Sequence, residues 1–324
     1  MSRAAFAVRH LLLALLAAAA TTCHAQADAR PIRVLVGFPP GGSTDIVARI
    51  FSEKLREFMG RPIVVENRPG NGGQVAAIQL KNAAPDGTTV MLTIDHTHVT
   101  IPLTFREPGY DPLADFTPIA GVAQYYNAMA ASAKTDIRSL KDVGAWMKGH
   151  PAERNFGIPA AGSIPQFAGL IVGKALGVEM LPIPYKGGAP LVQDLIGGQV
   201  PIGFGSLTEL IEHHRAGRLR VLAVSGTQRA RAAPEIPTFQ ELGLKGVDKN
   251  PWLAFFGPAG LPGGFVRDFN AAVKNAMETP EAKERFATLG IEAAWTQPED
   301  LRGWVSDALK HWGPVIRDSG YVLQ

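Results

Sequence analysis

Cysteine is almost absent from this sequence of 324 residues, which contains only Cys23. A chain without cysteine pairs cannot stabilise a small fold with disulfides, and it offers no thiolate for catalysis or metal binding. Stability must then come from a packed core, and a hydrophobic content of 46% is sufficient to build one. The length suits one large domain or two domains of ordinary size.

Charge is also scarce. Charged residues make up 19% of the chain, the net charge is +3, and no tract of one sign occurs. Nucleic acids and anionic lipids attract proteins through concentrated basic surfaces. The composition therefore argues against both of these partners.

Apolar runs long enough to cross a membrane are missing. The longest uniform run, residues 11–20, is too short for the ~30 Å of a bilayer interior. Arg3 and Arg9 precede it and small residues follow it near 25–27, which is typical of a secretory signal peptide. We predict that residues 1–27 are such a peptide, cleaved near 25–27, and that the mature chain is soluble in the periplasm. Cleavage removes Cys23 and two positive charges, leaving a net charge of +1.

Short β-branched apolar runs alternate with stretches of helical periodicity along the rest of the chain. This alternation predicts an α/β fold with parallel sheets covered by helices. Two apolar stretches, 119–133 and 252–257 with its flanks, are longer than a strand needs and predict segments that cross between two domains. We expect the first domain to combine residues 28–127 with 250–324, and the second to comprise 128–249. The predicted strands are 32–38, 63–66, 89–93, 180–184, 202–205 and 219–225.

Capping signals predict where several helices begin and end. Ser43 or Thr44 and Ser139 can cap helix starts, and Gly60 and Gly177 can end helices. Thr296 and Glu299 have the spacing of a capping box, and they precede an apolar stripe at helical spacing. The stripe predicts a helix packed on a sheet and consists of Leu301, Trp304, Val305, Ala308 and Trp312.

The segment from Phe38 to Asp45 is the strongest local feature. It places two glycines and two hydroxyl residues between a predicted strand and a predicted helix. A helix start offers unpaired N–H groups and the positive end of its dipole, so it can hold an anion without a basic side chain. The segment completes neither a P-loop nor a dinucleotide fingerprint. The alternative is an ordinary tight turn between strand and helix.

Three later segments repeat this arrangement of glycine or serine between strand and helix. Because they are distributed over both predicted domains, we expect their helix starts to converge on a cleft at the carboxyl ends of the strands. Several charge-assisted hydrogen bonds of about 1.5–3 kcal/mol each would suffice for micromolar binding of a carboxylate. The three segments are residues 159–163, 185–188 and 205–208.

A series of short motifs extends over nearly the whole mature chain. It includes FPPGGSTD from Phe38, VENRPGNGG from Val65, APDGT from Ala84, PYKGG from Pro184 and DLIGGQ from Asp194. It continues with AGRLR from Ala216 and GPAG from Gly257. In this order, the motifs resemble the Bug family of periplasmic solute-binding receptors of tripartite tricarboxylate transporters. The resemblance implies a type II periplasmic-binding-protein fold, in which two α/β domains close over a ligand in a Venus flytrap movement.

The resemblance also implies which residues bind the ligand's carboxylates. In the first domain they are Phe38, Pro40, Gly41, Gly42, Ser43 and Asp45, with Thr93, Asp95 and His96 as neighbours. In the second they are Gly162, Ser163, Gln166, Tyr185, Lys186, Gly187, Ser206 and Thr208. Two positions depart from the family pattern: Gln166 stands where a histidine is usual, and Gly205 where aspartate is common.

We therefore expect a monomeric receptor that performs no chemistry, needs no cofactor or metal, and delivers a small carboxylate to inner-membrane transporter subunits. Amino acids, dicarboxylates, tricarboxylates and aromatic acids all remain open as ligands. A receptor that signals only to a sensor kinase is one alternative. An exported hydrolase is another, but Ser43, Ser163 and Ser206 lie in no G-x-S-x-G motif. His96 and His98 lack an evident third metal ligand.

Overall fold

The computed structural model describes residues 30–288 and 291–322, so the predicted signal peptide over residues 1–27 lies outside the described residues. Over the described part, strands and helices alternate as predicted, and the protein belongs to the α/β class. None of the described helices is both long enough and apolar enough to cross a membrane.

The strands form two separate sheets, of order β11-β4-β10-β3-β1-β2 and β7-β6-β8-β5-β9. All six strands predicted from the sequence are present, although the first ends at Val36, two residues early. In chain order the strands are β1 (Ile32–Val36), β2 (Ile63–Asn67), β3 (Thr89–Ile94), β4 (Phe116–Gln124), β5 (Asn127–Ser132), β6 (Asn155–Ile158), β7 (Leu181–Pro184), β8 (Ile202–Ser206), β9 (Leu219–Val224), β10 (Trp252–Pro258) and β11 (Glu292–Ala293).

Helices connect and cover these strands. They are α1 (Ser43–Met59), α2 (Gln74–Lys81), α3 (Ile101–Thr104), α4 (Leu140–Gly149), α5 (Ile164–Leu176), α6 (Gly188–Gly197), α7 (Leu207–Arg215), α8 (Gly263–Glu278), α9 (Pro280–Thr288) and α10 (Pro298–Asp318). A π-helical turn (His96–Thr100) leads into α3.

Three of the predicted helix ends are confirmed. Ser139 caps α4 by accepting the N–H of Asp142, and Gly60 and Gly177 end α1 and α5 in the left-handed conformation.

The caps predicted at Ser43 or Thr44 and at Thr296 are wrong. Helix α1 begins at Ser43 with Gly42 as its N-cap and without a side-chain cap. Helix α10 begins at Pro298 after Gln297. The hydroxyl of Thr296 instead accepts the N–H of Gly121 in β4 at 2.9 Å. The hydroxyl that the local pattern predicted to cap the helix is therefore bonded to a strand that is distant along the chain.

Both sheets place most carboxyl ends at one edge. In the first, β1 pairs in parallel with β2 and β3, and β10 runs antiparallel to both β3 and β4. Strand β4 therefore points the same way as β1. In the second, β6 pairs in parallel with β7 and β8, while β5 runs antiparallel to β8 and β9. Hence β4 ends, and β5 begins, at the edge where the parallel strands of their own sheets end.

Only Tyr125 and Tyr126 separate the end of β4 from the start of β5. Three residue steps of at most ~3.6 Å keep the Cα atoms of Gln124 and Asn127 within about 11 Å of each other. The chain returns through residues 225–251, again from the carboxyl end of β9 to the corresponding edge of the first sheet, where β10 begins. The two-residue crossing holds the carboxyl-end edges of the two sheets next to each other.

Both faces of the first sheet are buried. Val34 and Val36 pack into one hydrophobic cluster with α1 and α8, whereas Leu35 packs into the other with α10. This follows from the alternation of side chains along a strand. The predicted stripe on α10 is confirmed, because Leu301, Val305 and Trp312 are buried in that second cluster.

One buried side chain in this core is polar. The ring of His98 is fully buried, stacks on Phe256 with the ring centroids 4.1 Å apart, and also contacts Phe116. Neither ring nitrogen has a hydrogen-bond partner. Burial lowers the pKa of His98 from 6.5 to about 3, because the charged imidazolium would lose its hydration there.

We expect His98 to make the folded state sensitive to acid. The unfolded chain binds this proton as the pH falls below about 6.5, whereas the folded protein does so only near pH 3, so stability is lost over that interval. Between pH 7 and pH 5 the loss amounts to about 2 kcal/mol. Urea unfolding at the two pH values should show a smaller loss for His98→Leu than for wild type. The exposed His150 provides the control, since His150→Gln should leave the loss unchanged.

Candidate functional site

We call each sheet, together with the helices packed on it, a lobe; the first lobe contains β1 and the second contains β6. The predicted loop of the first lobe, residues 38–45, follows β1 at the carboxyl-end edge. It lies beside the end of the neighbouring strand β3, which contains Thr93 and is followed by Asp95 and His96. Gly37 packs against Gly73 so closely that a Cβ on Gly37 would lie 2.5 Å from the Gly73 Cα. The first lobe thus brings its predicted site residues together at one edge. Phe38 is half-buried there, while Pro40, Gly41, Gly42 and Ser43 are exposed.

The side chain of Asp45 holds this loop in shape through hydrogen bonds. Its carboxylate is buried and accepts hydrogen bonds from the Gly41 N–H at 2.8 Å and from Asn67 Nδ2 at 2.9 Å. Arg49 donates to both of its oxygens. Burial alone would raise the pKa of Asp45, but the hydrogen bonds from Arg49, Gly41 and Asn67 outweigh it and hold the pKa below its usual range. Asp45 therefore supports the loop, and the surface that faces outward is Gly41, Gly42 and Ser43.

Gly41 adopts a φ of +83°, a conformation that residues with side chains rarely take. A Cβ added at this position would meet no atom within 4 Å, so the position opens onto free space. The next residue, Gly42, is the N-cap of α1, and no side chain occupies the helix start. The first N–H groups of α1 thus remain available to an anion.

Asp95 lies deeper in the same lobe. It is 5% exposed, and its Oδ1 accepts a 3.3 Å hydrogen bond from the hydroxyl of Tyr125 in the crossing segment. Burial raises its pKa to about 7. The neighbouring His96 is half-buried beside Gly72, and burial lowers its pKa to about 4.

The loop before α5 in the second lobe repeats the arrangement of the first. The Gly162 N–H donates to Gln166 Oε1, four residues later, at 2.8 Å. Gly41 and Asp45 have the same spacing. Gly162 also has a positive φ, of +68°, and a Cβ there would lie 2.8 Å from the hydroxyl of Tyr321, which follows α10. Gln166, which replaces the histidine of the family pattern, therefore orders this loop.

The hydroxyl of Ser163 is directed inward. It donates to the carbonyl of Ala160 at 2.6 Å, and the residue is only 6% exposed. Ser163 is the N-cap of α5 but makes no side-chain cap. In this arrangement Ser163 stabilises its own loop. Pro165 has no N–H, and the Gln166 N–H donates to the Ser163 carbonyl at 2.9 Å. The N–H groups of Ser163 and Ile164 are therefore the ones that this helix start can offer a ligand.

The remaining predicted residues of the second lobe follow β7 and β8. The Tyr185 hydroxyl donates to Asp194 Oδ2 at 2.8 Å, so it is engaged within its own lobe. Lys186 is exposed, and Gly187 is the N-cap of α6. Ser206 and Thr208 hydrogen bond to each other at 2.8 Å at the start of α7. Parallel pairing of β6 with β7 and β8 brings these loops to the same edge as Gly162.

Gly205, the other departure from the family pattern, faces the opposite side of the second sheet from Ser206. A Cβ on Gly205 would make ordinary contacts with Leu191 and Leu210, in the apolar layer beneath α6 and α7. A side chain there would enter that layer.

Four polar residues near the crossing were missed from the sequence. Tyr125 and Asn127 interrupt the apolar stretch 119–133, and that interruption was the available signal. Glu209 stands three residues after Ser206, which is the spacing of a capping box. Ser225 ends the last strand of the second sheet; its hydroxyl accepts the N–H of Asn127 at 3.0 Å and donates to Asn250 at 2.8 Å.

Hydrolases and metal sites each have a typical arrangement of side chains. Across the described residues, no histidine ring hydrogen bonds to Ser43, Ser163 or Ser206. The same part of the chain contains no group of three or more His, Cys, Asp or Glu side chains that could hold a metal ion.

A cavity of about 400 Å³ is lined by Tyr126 of the crossing, by Arg231 and by the end of α9. None of the predicted site residues lines it. The glycine-bordered edge between the lobes therefore stays the candidate site, because it combines helix starts, buried carboxyl groups and residues of both lobes.

Comparison with known proteins gives a consistent answer. The family model described as "Tripartite tricarboxylate transporter family receptor" matches residues 47–321. Protein BugT of Bordetella pertussis is 32% identical over 91% of this chain and 91% of its own length. A UPF0065 protein of Bordetella bronchiseptica is 33% identical over 90% of this chain and 87% of its own.

Solved structures agree with this. The periplasmic binding protein BugD is 30% identical and superposes with a TM-score of 0.78, covering 91% of this chain and 99% of that one. Rpa4515 of R. palustris, determined with adipate, is 29% identical with a TM-score of 0.81 and the same coverage. MatC of Rhodopseudomonas palustris, with bound malate, is 28% identical with a TM-score of 0.76, covering 89% of this chain and 99% of that one.

Proposed function

We propose, since the chain belongs to the tripartite tricarboxylate transporter receptor family, that it is a periplasmic receptor which captures a small carboxylated solute between its two lobes. The family consists of solute-binding receptors of the type II periplasmic-binding-protein fold, not of enzymes. The hydrolase alternative is therefore set aside.

The topology of the crossing carries this proposal. Because only Tyr125 and Tyr126 separate β4 from β5, the carboxyl-end edges of both sheets adjoin. Each edge carries a glycine loop whose N–H is held by a side chain four residues later, at Asp45 in one lobe and Gln166 in the other. A solute that meets both loops would join the lobes, and its binding energy would stabilise the closed arrangement.

A carboxylate is the ligand group that these loops suit. The starts of α1 and α5 lack side-chain caps, so their N–H groups and the helix dipoles favour a negative charge. The adipate and malate in two similar structures are ligands of that class in those proteins.

The proposal extends to the place and partners of the protein. Residues 1–27 would be removed on export, and residues 28–127 with 250–324 and 128–249 would form the two domains of a monomer. The closed receptor would present a surface to the inner-membrane subunits of a tripartite transporter. A sensor kinase that recognises the same closed surface is the alternative partner.

Native mass spectrometry of the protein released from the periplasm tests the receptor function directly. We expect a co-purifying small carboxylate at one copy per chain. Titration of that compound into the stripped protein, followed by small-angle X-ray scattering, should give a smaller radius of gyration in the bound state. A carboxylate that is chemically converted, or a protein that retains and binds none, would contradict the proposal.

Ser43 should contribute measurably to this binding. It is exposed at the first position of α1, where its hydroxyl can donate to a bound carboxylate. Ser43→Ala should weaken binding about fivefold, the effect of one ordinary hydrogen bond. Ser52→Ala is the matched control in the same helix, since the Ser52 hydroxyl bonds the Ala48 carbonyl instead. Equal calorimetric affinities for the two variants would remove Ser43 from the site.

A further inference from the structure

Two carboxyl groups, one from each lobe, act on the same crossing residue. Asp95 of the first lobe accepts the Tyr125 hydroxyl at 3.3 Å. Glu209 belongs to α7 of the second lobe. The pKa of Tyr125 is raised well above its usual value, first by burial and then by the charges of Asp95 and Glu209. Both acids therefore lie within electrostatic reach of the tyrosine that joins the lobes.

Glu209 is held close to the second-lobe loops. A Cβ on Gly188 would collide with its carboxylate, so that group lies against the first residue of α6. Glu209 is an exposed residue, but the protein around its carboxyl group raises the pKa of Glu209. The carboxylate of Glu209 accepts the backbone N–H of Ser206, as in a capping box. This bond needs only one carboxylate oxygen, so the second oxygen can accept a hydrogen bond from a ligand.

These two acids have no cationic partner. The ion pairs among residues 30–288 and 291–322 include neither Asp95 nor Glu209, whereas Asp45 is paired with Arg49. Burial disfavours the ionised forms of both acids, and a positive charge placed beside them would favour those forms. The two acids are therefore complementary to a ligand that brings a positive charge.

An independent feature, two residues after Tyr125, is a side-chain donor without an acceptor. The Asn127 side chain is 5% exposed, and its Nδ2 has no hydrogen-bond partner. A buried donor without a partner is unfavourable unless something else satisfies it.

The sheet register places this amide at the carboxyl-end edge of the second sheet. Asn127 is the register partner of Ser206, so their side chains lie on the same face of the second sheet, the face that α5 covers. Both residues stand at the edge where the loop of Gly162 precedes α5. The unsatisfied Nδ2 is thus available to a ligand oxygen at the crossing.

From these features we infer that the solute is an amino acid, whose ammonium group meets Glu209 and Asp95 and whose carboxylate meets Asn127 and the helix starts. This inference rests on the receptor function proposed above and narrows its ligand class. One cationic nitrogen and one carboxylate on the same small molecule satisfy the unpaired acids and the unpaired amide together.

Pairs of acids that differ only in the amino group test it. Calorimetry would compare L-aspartate with succinate, L-glutamate with glutarate, L-2-aminoadipate with adipate, L-leucine with 4-methylpentanoate, and L-phenylalanine with 3-phenylpropanoate. In each pair that binds, we expect the amino acid to bind at least about tenfold more tightly, since a charge-assisted hydrogen bond is lost without the amine. Binding of the deaminated acids as tightly or more tightly would overturn the inference and leave the receptor proposal standing. If no member of any pair binds and no carboxylate co-purifies, the receptor proposal itself fails.

The variant Glu209→Gln isolates the charge, because glutamine also serves at this position of a capping box. It should weaken amino acid binding at least about tenfold and change the affinity for the deaminated acid less than about twofold. The control is Glu212→Gln, three residues along α7, where the side chain is exposed and paired with Arg215. Equal weakening of both ligands in Glu209→Gln would show a structural role only and contradict the inference, as would unchanged amino acid affinity.

Discussion

Replacing Gly41 by valine should reduce ligand affinity at least about a hundredfold without unfolding the protein. The position opens onto free space beside the start of α1, where a Cβ meets nothing within 4 Å. The side chain of valine would fill the space that a ligand carboxylate needs in order to reach the helix N–H groups. Its φ of +83° also disfavours valine, so the loop would shift and the hydrogen bond from Gly41 to Asp45 would weaken.

Gly60 offers a matched control for that strain. It ends the same helix, has a φ of +61°, and likewise has no atom within 4 Å of an added Cβ. Gly41→Val and Gly60→Val should therefore lose similar stability, about 1–2 kcal/mol, for placing a side chain in the left-handed region. Only the first should lose binding by calorimetry. If the two variants bound equally well, the loop of residues 38–45 would not be part of the binding site.

Removing the carboxylate of Asp45 should be the most destabilising single change in this site. Asp45→Ala leaves the Gly41 N–H, Asn67 Nδ2 and the Arg49 guanidinium without their partner. Breaking a buried, hydrogen-bonded charge costs about 3–5 kcal/mol, and the partial exposure of Arg49 reduces this to about 2–3 kcal/mol. Binding should weaken as well, because the loop loses the bond that sets its shape.

Asp142 is the comparison, since it also lies in the first turn of a helix, α4, but is only half-buried and has no ion-pair partner among the described residues. Asp142→Ala should cost less than about 1 kcal/mol in urea unfolding. The pH dependence provides a second check. Because the folded pKa of Asp45 lies below its usual value, its contribution is present above pH 4 and is lost as the pH falls through the folded pKa. Equal losses for the two variants would mean that Asp45 only complements the helix dipole.

The two loops achieve the same shape with different chemistry. Asp45 is charged and paired with Arg49, whereas Gln166 uses a neutral amide oxygen to accept the Gly162 N–H. In both loops, the side chain four residues after the glycine accepts the glycine N–H. The departure from the family pattern at Gln166 therefore preserves the geometry of the loop and adds no charge to this side of the cleft.

Local sequence determined much of this protein. The strands and the ends of α1 and α5 at Gly60 and Gly177 were predictable, because periodicity and left-handed glycines depend only on neighbouring residues. The glycine-serine segments at the helix starts were predictable for the same reason. The motifs also identified the family and hence the fold.

Tertiary structure decided where the polar groups point. The Thr296 hydroxyl accepts an N–H of β4 and does not cap its own helix, and the hydroxyl of Ser163 donates to the Ala160 carbonyl. The hydrogen bond from Tyr125 to Asp95 and the unpaired amide of Asn127 exist only because a two-residue crossing brings two sheet edges together. A side chain's partners depend on residues that are distant along the chain and close only after packing, and no local pattern records that proximity.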